Sequence, residues 1–322
     1  MPVRPSVRAR SALLALLTLT ACGASASAPA SVGDAAVDDT SPSSDDGATD
    51  ASPDASPDAS PDAGADAGAD ASADAGADTA VPDGGAIWKP AVGTSWQWQL
   101  DTPIDTTVDA AVFDIDLFDN DASVVAALHA KGRKVICYVN VGAWEDWRAD
   151  QAQFPAAVIG KAYPGWAGEK FLDIRRLDLL SPILRARFDA CRAKGFDGLE
   201  PDNVDTYQAD TGFGLTAQDQ RTYDAWLVAE AHARGLSIGL KNDGDQAGAL
   251  VGSFDWALSE DCWADAWCDQ LKPFVAAGKA VFMAEYTDRS ATLPKFCPTA
   301  KSLSFSGILK DRALTASRQA CP

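Results

Sequence analysis

From residue 86 onward, short apolar runs alternate with amphipathic stretches, and one joint between them recurs. It reads "HAKGRKVICYVNV" (129–141), "RAKGFDGLEPDN" (192–203), "HARGLSIGLKN" (232–242) and "AAGKAVFMAEY" (276–286). In each, a helical stretch ends with a cation beside a glycine, and an apolar run begins within a residue or two. A cation suits a helix C-terminus, and glycine supplies its left-handed cap. This is the αβ joint of a protein built from βα repeats. The apolar runs predict eight strands, over 95–100, 111–118, 134–141, 197–203, 237–242, 256–260, 280–286 and 303–309. Eight strands with intervening helices predict an α/β fold, a (β/α)8 TIM-barrel-like domain. A doubly wound open sheet is the alternative, but its glycine-rich phosphate loop is missing.

A barrel places its chemistry at the C-terminal ends of its strands. Here those ends are polar. They carry Asp114 and Asp116, Tyr138 and Asn140, Glu200, Asp202 and Asn203, Lys241 and Asn242, Glu260, and then Glu285 and Tyr286. The strand period of two puts Glu200 and Asp202 on one face and Leu199 on the other. Tyr138 and Asn140 likewise share a face, which turns Cys137 toward the outer helices, where Cys191 lies. A Cys137–Cys191 disulfide fits that geometry. Cys262–Cys268 would close a loop after the sixth strand, and Cys297–Cys321 would tie down the C-terminus. Asp197 opens its strand and belongs at the opposite end of the barrel from the chemistry.

The chain ahead of the domain changes the picture of charge and location. Residues 1–21 carry Arg4, Arg8 and Arg10, then an apolar run ending "LTAC". This reads as a lipoprotein signal peptide, with Cys22 lipidated after cleavage. The run is short for a membrane span. Residues 22–85 are rich in Ala, Asp, Ser, Pro and Gly, with Asp at every fourth position from Asp50 to Asp78. Such a stretch has too little apolar mass to offset its ordering entropy, so a disordered tether is expected. The protein is then exported and lipid-anchored to the cell envelope or surface. The domain proper, 86–322, holds 32 acidic and 24 basic residues, a net charge of −8. That disfavours nucleic acid and favours a neutral or cationic partner. A monomer is expected. In an exported chain, the six cysteines besides Cys22 are consistent with three disulfides.

Histidine removes several chemistries. His129 and His232 both precede the glycine that ends a helix, which places them at the bottom of the barrel. No Ser-His-Asp triad, Cys-His pair or histidine metal site is then available. C-x-x-C is absent, and "DIDLFDND" does not fit an EF-hand loop, so neither metal nor cofactor is expected. What remains is a ring of carboxylates around a barrel mouth. Two carboxyl groups across a cleft are the machinery of glycoside hydrolysis: one protonates the leaving oxygen, and the other attacks or activates water. The plainer alternative is that these acids pair with arginines such as Arg148 and Arg175. Ten tryptophans add to the first reading. Trp144, Trp147, Trp166, Trp263 and Trp267 fall on expected loops, where an aromatic face can stack on a sugar, whereas Trp96, Trp226 and Trp256 are expected in the core.

The motifs "SWQWQL", "FDIDLFD", "KVICYVNVGAWEDWR", "FLDIR", "GFDGLEPDNVDTY", "AHARGLSIGLKND" and "LSEDC" run in order from about Ser95 to Tyr286. Together they resemble glycoside hydrolase family 114. The resemblance implies a TIM-barrel-like fold and endo-α-1,4-polygalactosaminidase activity. It carries the catalytic pair onto Asp202 and Glu260. Asp116, Lys241 and Asn242 fall on other motif positions. Tyr138, Glu200, Asn203, Asp205, Glu285 and Trp98 complete the expected substrate-binding set, with Glu200 tuning Asp202 and Asp205 orienting substrate or neighbours. The implied partner is a cationic or neutral amino-sugar polysaccharide, which an acidic mouth would attract. A non-catalytic, lectin-like barrel is the alternative. A deacetylase is a weaker one, for want of a His/Asp metal site.

Overall fold

A computed structural model of the chain describes residues 86–322. The expected signal peptide, the Cys22 lipid site and the tether lie outside the described residues. The strands are β1 (Trp96–Trp98), β2 (Val112–Asp116), β3 (Lys134–Asn140), β4 (Ala143–Glu145), β5 (Ile159–Ala162), β6 (Glu169–Leu172), β7 (Gly198–Asp202), β8 (Ser237–Lys241), β9 (Trp256–Glu260), β10 (Val281–Tyr286), β11 (Ser306–Lys310) and β12 (Gln319–Ala320). The helices are α1 (Ala122–His129), α2 (Leu177–Lys194), α3 (Ala217–Ala233), α4 (Ala247–Leu250), α5 (Lys272–Ala276) and α6 (Leu293–Leu303). Among the described residues, no helix is long and apolar enough to cross a membrane.

Eight strands pair in parallel in the order β1-β2-β3-β7-β8-β9-β10-β11, and β12 adds antiparallel to the far edge. The sheet curls as a TIM barrel does. Its first and last parallel strands are not ladder partners; they and the residues after them are joined by side-chain hydrogen bonds and by the Leu100 and Asp101 amides, which both donate to the Leu314 carbonyl. The Trp96 indole donates to the Ser306 carbonyl at 2.7 Å, and the Gln97 amide to the Ala316 carbonyl at 3.0 Å. The recurrent joint works as its sequence predicts. Gly132, Gly195, Gly235 and Gly278 all take positive φ, between +69° and +91°, where a side chain would be strained.

Three expectations need correction. The last parallel strand is Ser306–Lys310 rather than 303–309, because Leu303 completes α6 and Ser304, at φ +59°, turns the chain. No helix joins β1 to β2. The Gln99 amide instead braces that connection, donating to the Asp101 and Pro103 carbonyls at 2.9 Å each. The segment after β3 is more than loop: β4, β6 and β5 form a separate antiparallel sheet, called the flap below.

Alternation along the strands divides the core in two. Phe113, Ile115, Val135, Cys137, Val139, Leu199, Ile238 and Met283 pack outward under the helices. Trp96, Trp98, Val112, Ile136, Trp256, Phe282 and Ile308 fill the barrel's interior. Trp96 stacks on Phe282 with centroids 4.9 Å apart, and Trp256 meets the same ring edge-on at 5.5 Å. Gly239 makes room for this plug, since a Cβ there would stand 2.2 Å from the Trp256 ring. At the N-terminal ends, Asp197 bonds His129 and Lys134, each at 2.7 Å, and Asp255 bonds His232 at 2.9 Å. Both histidines are thus anchored away from the mouth. The three disulfides are present: Cys137–Cys191 ties β3 to α2, Cys262–Cys268 closes the loop after β9, and Cys297–Cys321 ties the C-terminal residues to α6.

Candidate active site

The mouth is organised by one cation. Lys241 ends β8 on the inner face and is buried. Its ammonium lies 2.9 Å from Glu200 Oε1, 2.8 Å from Asp202 Oδ1 and 3.1 Å from Glu260 Oε2. It also sits 4.7 Å from the centroid of the Trp98 ring, an added cation–π attraction. Burial by itself would discharge a lysine, but the surrounding carboxylates overcome it and hold the ammonium well above its ordinary pKa. Behind Glu200 lies Asp114. Burial and the Glu200 charge push Asp114 well above the ordinary carboxyl range. This favours the neutral form of Asp114 beside Glu200. Glu200 is itself pushed up to about 7 by burial, with Lys241 pulling the other way.

Asp202 and Glu260 are the carboxylates of this cluster that a substrate can reach. Their side chains are 19% and 25% exposed, against 1% for Glu200. Each has a tyrosine: Tyr138 donates to Asp202 Oδ2 at 2.8 Å, and Tyr286 donates to Glu260 Oε1. Because both acids touch one ammonium, their facing oxygens stand no more than about 5.9 Å apart, the contacts of 2.8 and 3.1 Å laid end to end.

The backbone fixes them too. The amides of Val141 and Gly142 both donate to the Asp202 carbonyl, at 3.1 and 3.2 Å. Asn242 accepts from the Glu260 amide at 2.9 Å, and its own amide reaches Glu260 Oε2 at 3.4 Å. Each of the three site residues is followed by a left-handed residue: Asn203 (φ +63°), Asn242 (φ +52°) and Asp261 (φ +54°). Asn and Asp tolerate that conformation better than other non-glycine residues. Here it turns the chain sharply out of the strand.

The remaining expected residues divide. Tyr138, Glu200, Lys241 and Asn242 join the catalytic candidates directly. Trp98 is buried and forms the floor beneath Lys241 rather than a face open to sugar. Asn203 forms the turn after Asp202. Asp205 is half-buried near Asp202 and Asp243, and burial together with those charges pushes it up to about 7. Asp116 is not at the cleft surface. Both its oxygens bind the Arg148 guanidinium, at 3.0 and 2.7 Å, so for this acid the ion-pair alternative holds. Arg175 likewise pairs with Asp173. Glu285 points to the outer side of β10, in phase with Met283, and accepts from the Trp263 amide at 2.7 Å and the Ala264 amide at 3.3 Å. It braces the loop after β9. Tyr286, in phase with Phe282 and Ala284, is the residue of that strand which reaches the site. The flap adds Glu169, whose Oε2 is 3.5 Å from the Asn140 amide. Burial, then Glu145 and Asp202, pushes Glu169 up to about 8.

Sequence comparison matches residues 77–322 to the model of glycoside-hydrolase family GH114. The chain belongs to that family. As a GH114 member it is a glycoside hydrolase. The chain is also similar to the crystal structure of Aspergillus fumigatus Ega3 in complex with galactosamine, with 40% identity and a TM-score of 0.70 over 74% of this chain and 98% of that one. The glycoside hydrolase domain of PelA from Pseudomonas aeruginosa shares the fold at 17% identity and a TM-score of 0.57, over 72% of this chain and 99% of that one. Comparison with curated proteins gives no significant match.

Proposed function

We propose that this GH114 hydrolase cuts inside α-1,4-linked, galactosamine-containing polysaccharide with retention of configuration. Asp202 is the nucleophile and Glu260 the general acid and base. The observation that carries this reading is the single Lys241 ammonium held by both acids. Retaining enzymes hold their carboxyl groups ~5–5.5 Å apart, and inverting ones ~6.5–9.5 Å apart to admit a water. The facing oxygens, at most about 5.9 Å apart through Lys241, are compatible with the closer, retaining spacing. Asp202 receives the shorter lysine contact, which suits an acid that must stay ionised. Glu260 has the longer contact and the greater exposure, which suits a proton exchanger.

In the first step Glu260 protonates the glycosidic oxygen while Asp202 attacks the anomeric carbon. The bond to the leaving sugar breaks, and a glycosyl ester forms. In the second step the ionised Glu260 takes a proton from water. The hydroxide oxygen replaces Asp202 at the anomeric carbon and restores the original configuration. The galactosamine bound by Ega3, at 40% identity, supports an amino-sugar substrate, and so does the net charge of −8 over residues 86–322. Cys22 is the proposed lipid site that anchors the enzyme to the envelope. A Cys22→Ala chain should leave the membrane fraction with its activity intact.

The test is reducing-end release from a galactosamine polymer, with the first product anomer read by NMR. The α-anomer is expected first. Asp202→Asn and Glu260→Gln should each lose at least about 10³-fold in kcat. With azide, Glu260→Ala should yield the α-glycosyl azide and Asp202→Ala the β. Near-wild-type release by either variant would sink the pair, and a β-anomer first would sink retention. Saturable polymer binding without new reducing ends would instead mark a lectin-like barrel.

A further inference from the structure

We propose that Trp147 and Trp166 form a distal sugar subsite on the flap, gripping the polysaccharide outside the cleft where the bond is cut. The inference rests on the proposed polysaccharide activity and goes beyond it. Among the described residues, the exposed large apolar side chains are Val92, Trp147 at 44% and Trp166 at 52%. Two of these three lie on turns that flank one small antiparallel sheet, Trp147 just after β4 and Trp166 just before β6. The other loop tryptophans are more covered: Trp144 lies under Lys170, 5.4 Å from the ring centroid, and donates its indole N–H to the Gln151 carbonyl. Trp263 and Trp267 are half-buried.

The platform is built rather than incidental. A Cβ on Gly168 would stand 2.9 Å from the Trp147 ring and 2.7 Å from Asp146 Oδ1. Glycine at that position therefore lets an indole and a carboxylate settle on the same turn. Trp166 lies two residues away. Its amide donates to the Tyr163 carbonyl at 3.3 Å, and its carbonyl accepts from the Glu169 amide at 3.2 Å. A turn fixed in this way presents its rings at low ordering cost.

The occupant follows from continuity with the cleft. The β6 strand starts at Glu169, beside Asn140, and Asn140 is the ladder partner of Asp202. The same hairpin thus touches the proposed reaction site at Glu169 and shows bare indoles on the turns that flank it. A polymer leaving the cleft over the flap would lay apolar ring faces on the indoles. Asp146, exposed beside Trp147, offers an anion to a free amino group.

The test compares Trp147→Ala, Trp166→Ala and the double variant on long polymer and on short galactosamine oligosaccharides. The double variant should raise KM for long polymer about tenfold or more. Its kcat/KM on a trisaccharide should be unchanged. Trp166→Phe should keep most of the polymer affinity. In the Asp202→Asn background, gel electrophoresis through the polymer should show retardation that the tryptophan changes abolish. Equal retardation, or equal loss on short and long substrates, overturns the subsite while the proposed activity stands. If no galactosamine polymer retards the Asp202→Asn chain, both readings fall.

Discussion

Lys241 decides how the acids behave. Replacing it with Met keeps the stem and removes the charge, leaving Asp202 and Glu260 without their shared cation. The two acids then face each other with no cation between them, and kcat should fall at least about 100-fold; an unchanged kcat counts against the clamp. Tyr138→Phe removes one hydrogen bond to an ionised acid, worth roughly 1.5–3 kcal/mol. A fall of about 10- to 100-fold in kcat with little change in KM is expected. The sequence made Asp202, Glu260 and Lys241 legible because they end strands on one phase of a period of two. It did not reveal partners. Arg148, which takes Asp116 out of the cleft, lies 32 residues away. The side of β10 that faces inward was readable from the phase of Phe282, Ala284 and Tyr286, which Glu285 breaks.

At the level of elements, the cation–glycine joints announced the strands well, since a left-handed cap is local chemistry. The flap was not announced. Its strands are three or four residues long and hide among polar neighbours, too short for a periodicity to declare itself. The missing helix between β1 and β2 escaped for a related reason, since Gln99 replaces it with side-chain bonds. The loops after β3 and β7 interlock at Gly142, where a Cβ would come within 1.8 Å of the Asn203 carbonyl oxygen. Gly142→Ala must push that turn aside and Asp202 with it. Activity should fall at least about tenfold while far-UV circular dichroism keeps the native spectrum. Unchanged activity would show that the turn does not position the acid.

Over the whole molecule, several buried acids keep their protons in the fold. Glu169 is pushed up to about 8, chiefly by burial, and Asp205 and Glu285 to about 7 for the same leading reason. In the unfolded chain such groups titrate near 4. Between about pH 4.5 and 8 the unfolded state binds fewer protons than the native one, so stability is greatest below that window and is lost as pH rises through it. The melting temperature should fall by several degrees from pH 5 to pH 8, and Glu169→Gln should flatten the slope. A rise over that window would contradict the assignment. Reduction of Cys297–Cys321, which closes a loop of 24 residues, should lower stability by ~2–4 kcal/mol without touching the cleft.

The left-handed turns that end β7, β8 and β9 give the site a written form. Asp202-Asn203, Lys241-Asn242 and Glu260-Asp261 pair a working side chain with a residue suited to the sharp exit. In a library randomised at 203, survivors should be glycine, asparagine and aspartate, whereas 242 should keep asparagine, whose side chain also holds Glu260. Three dipeptides at the ends of successive strands would then serve as a fingerprint, readable in other chains before any fold is known.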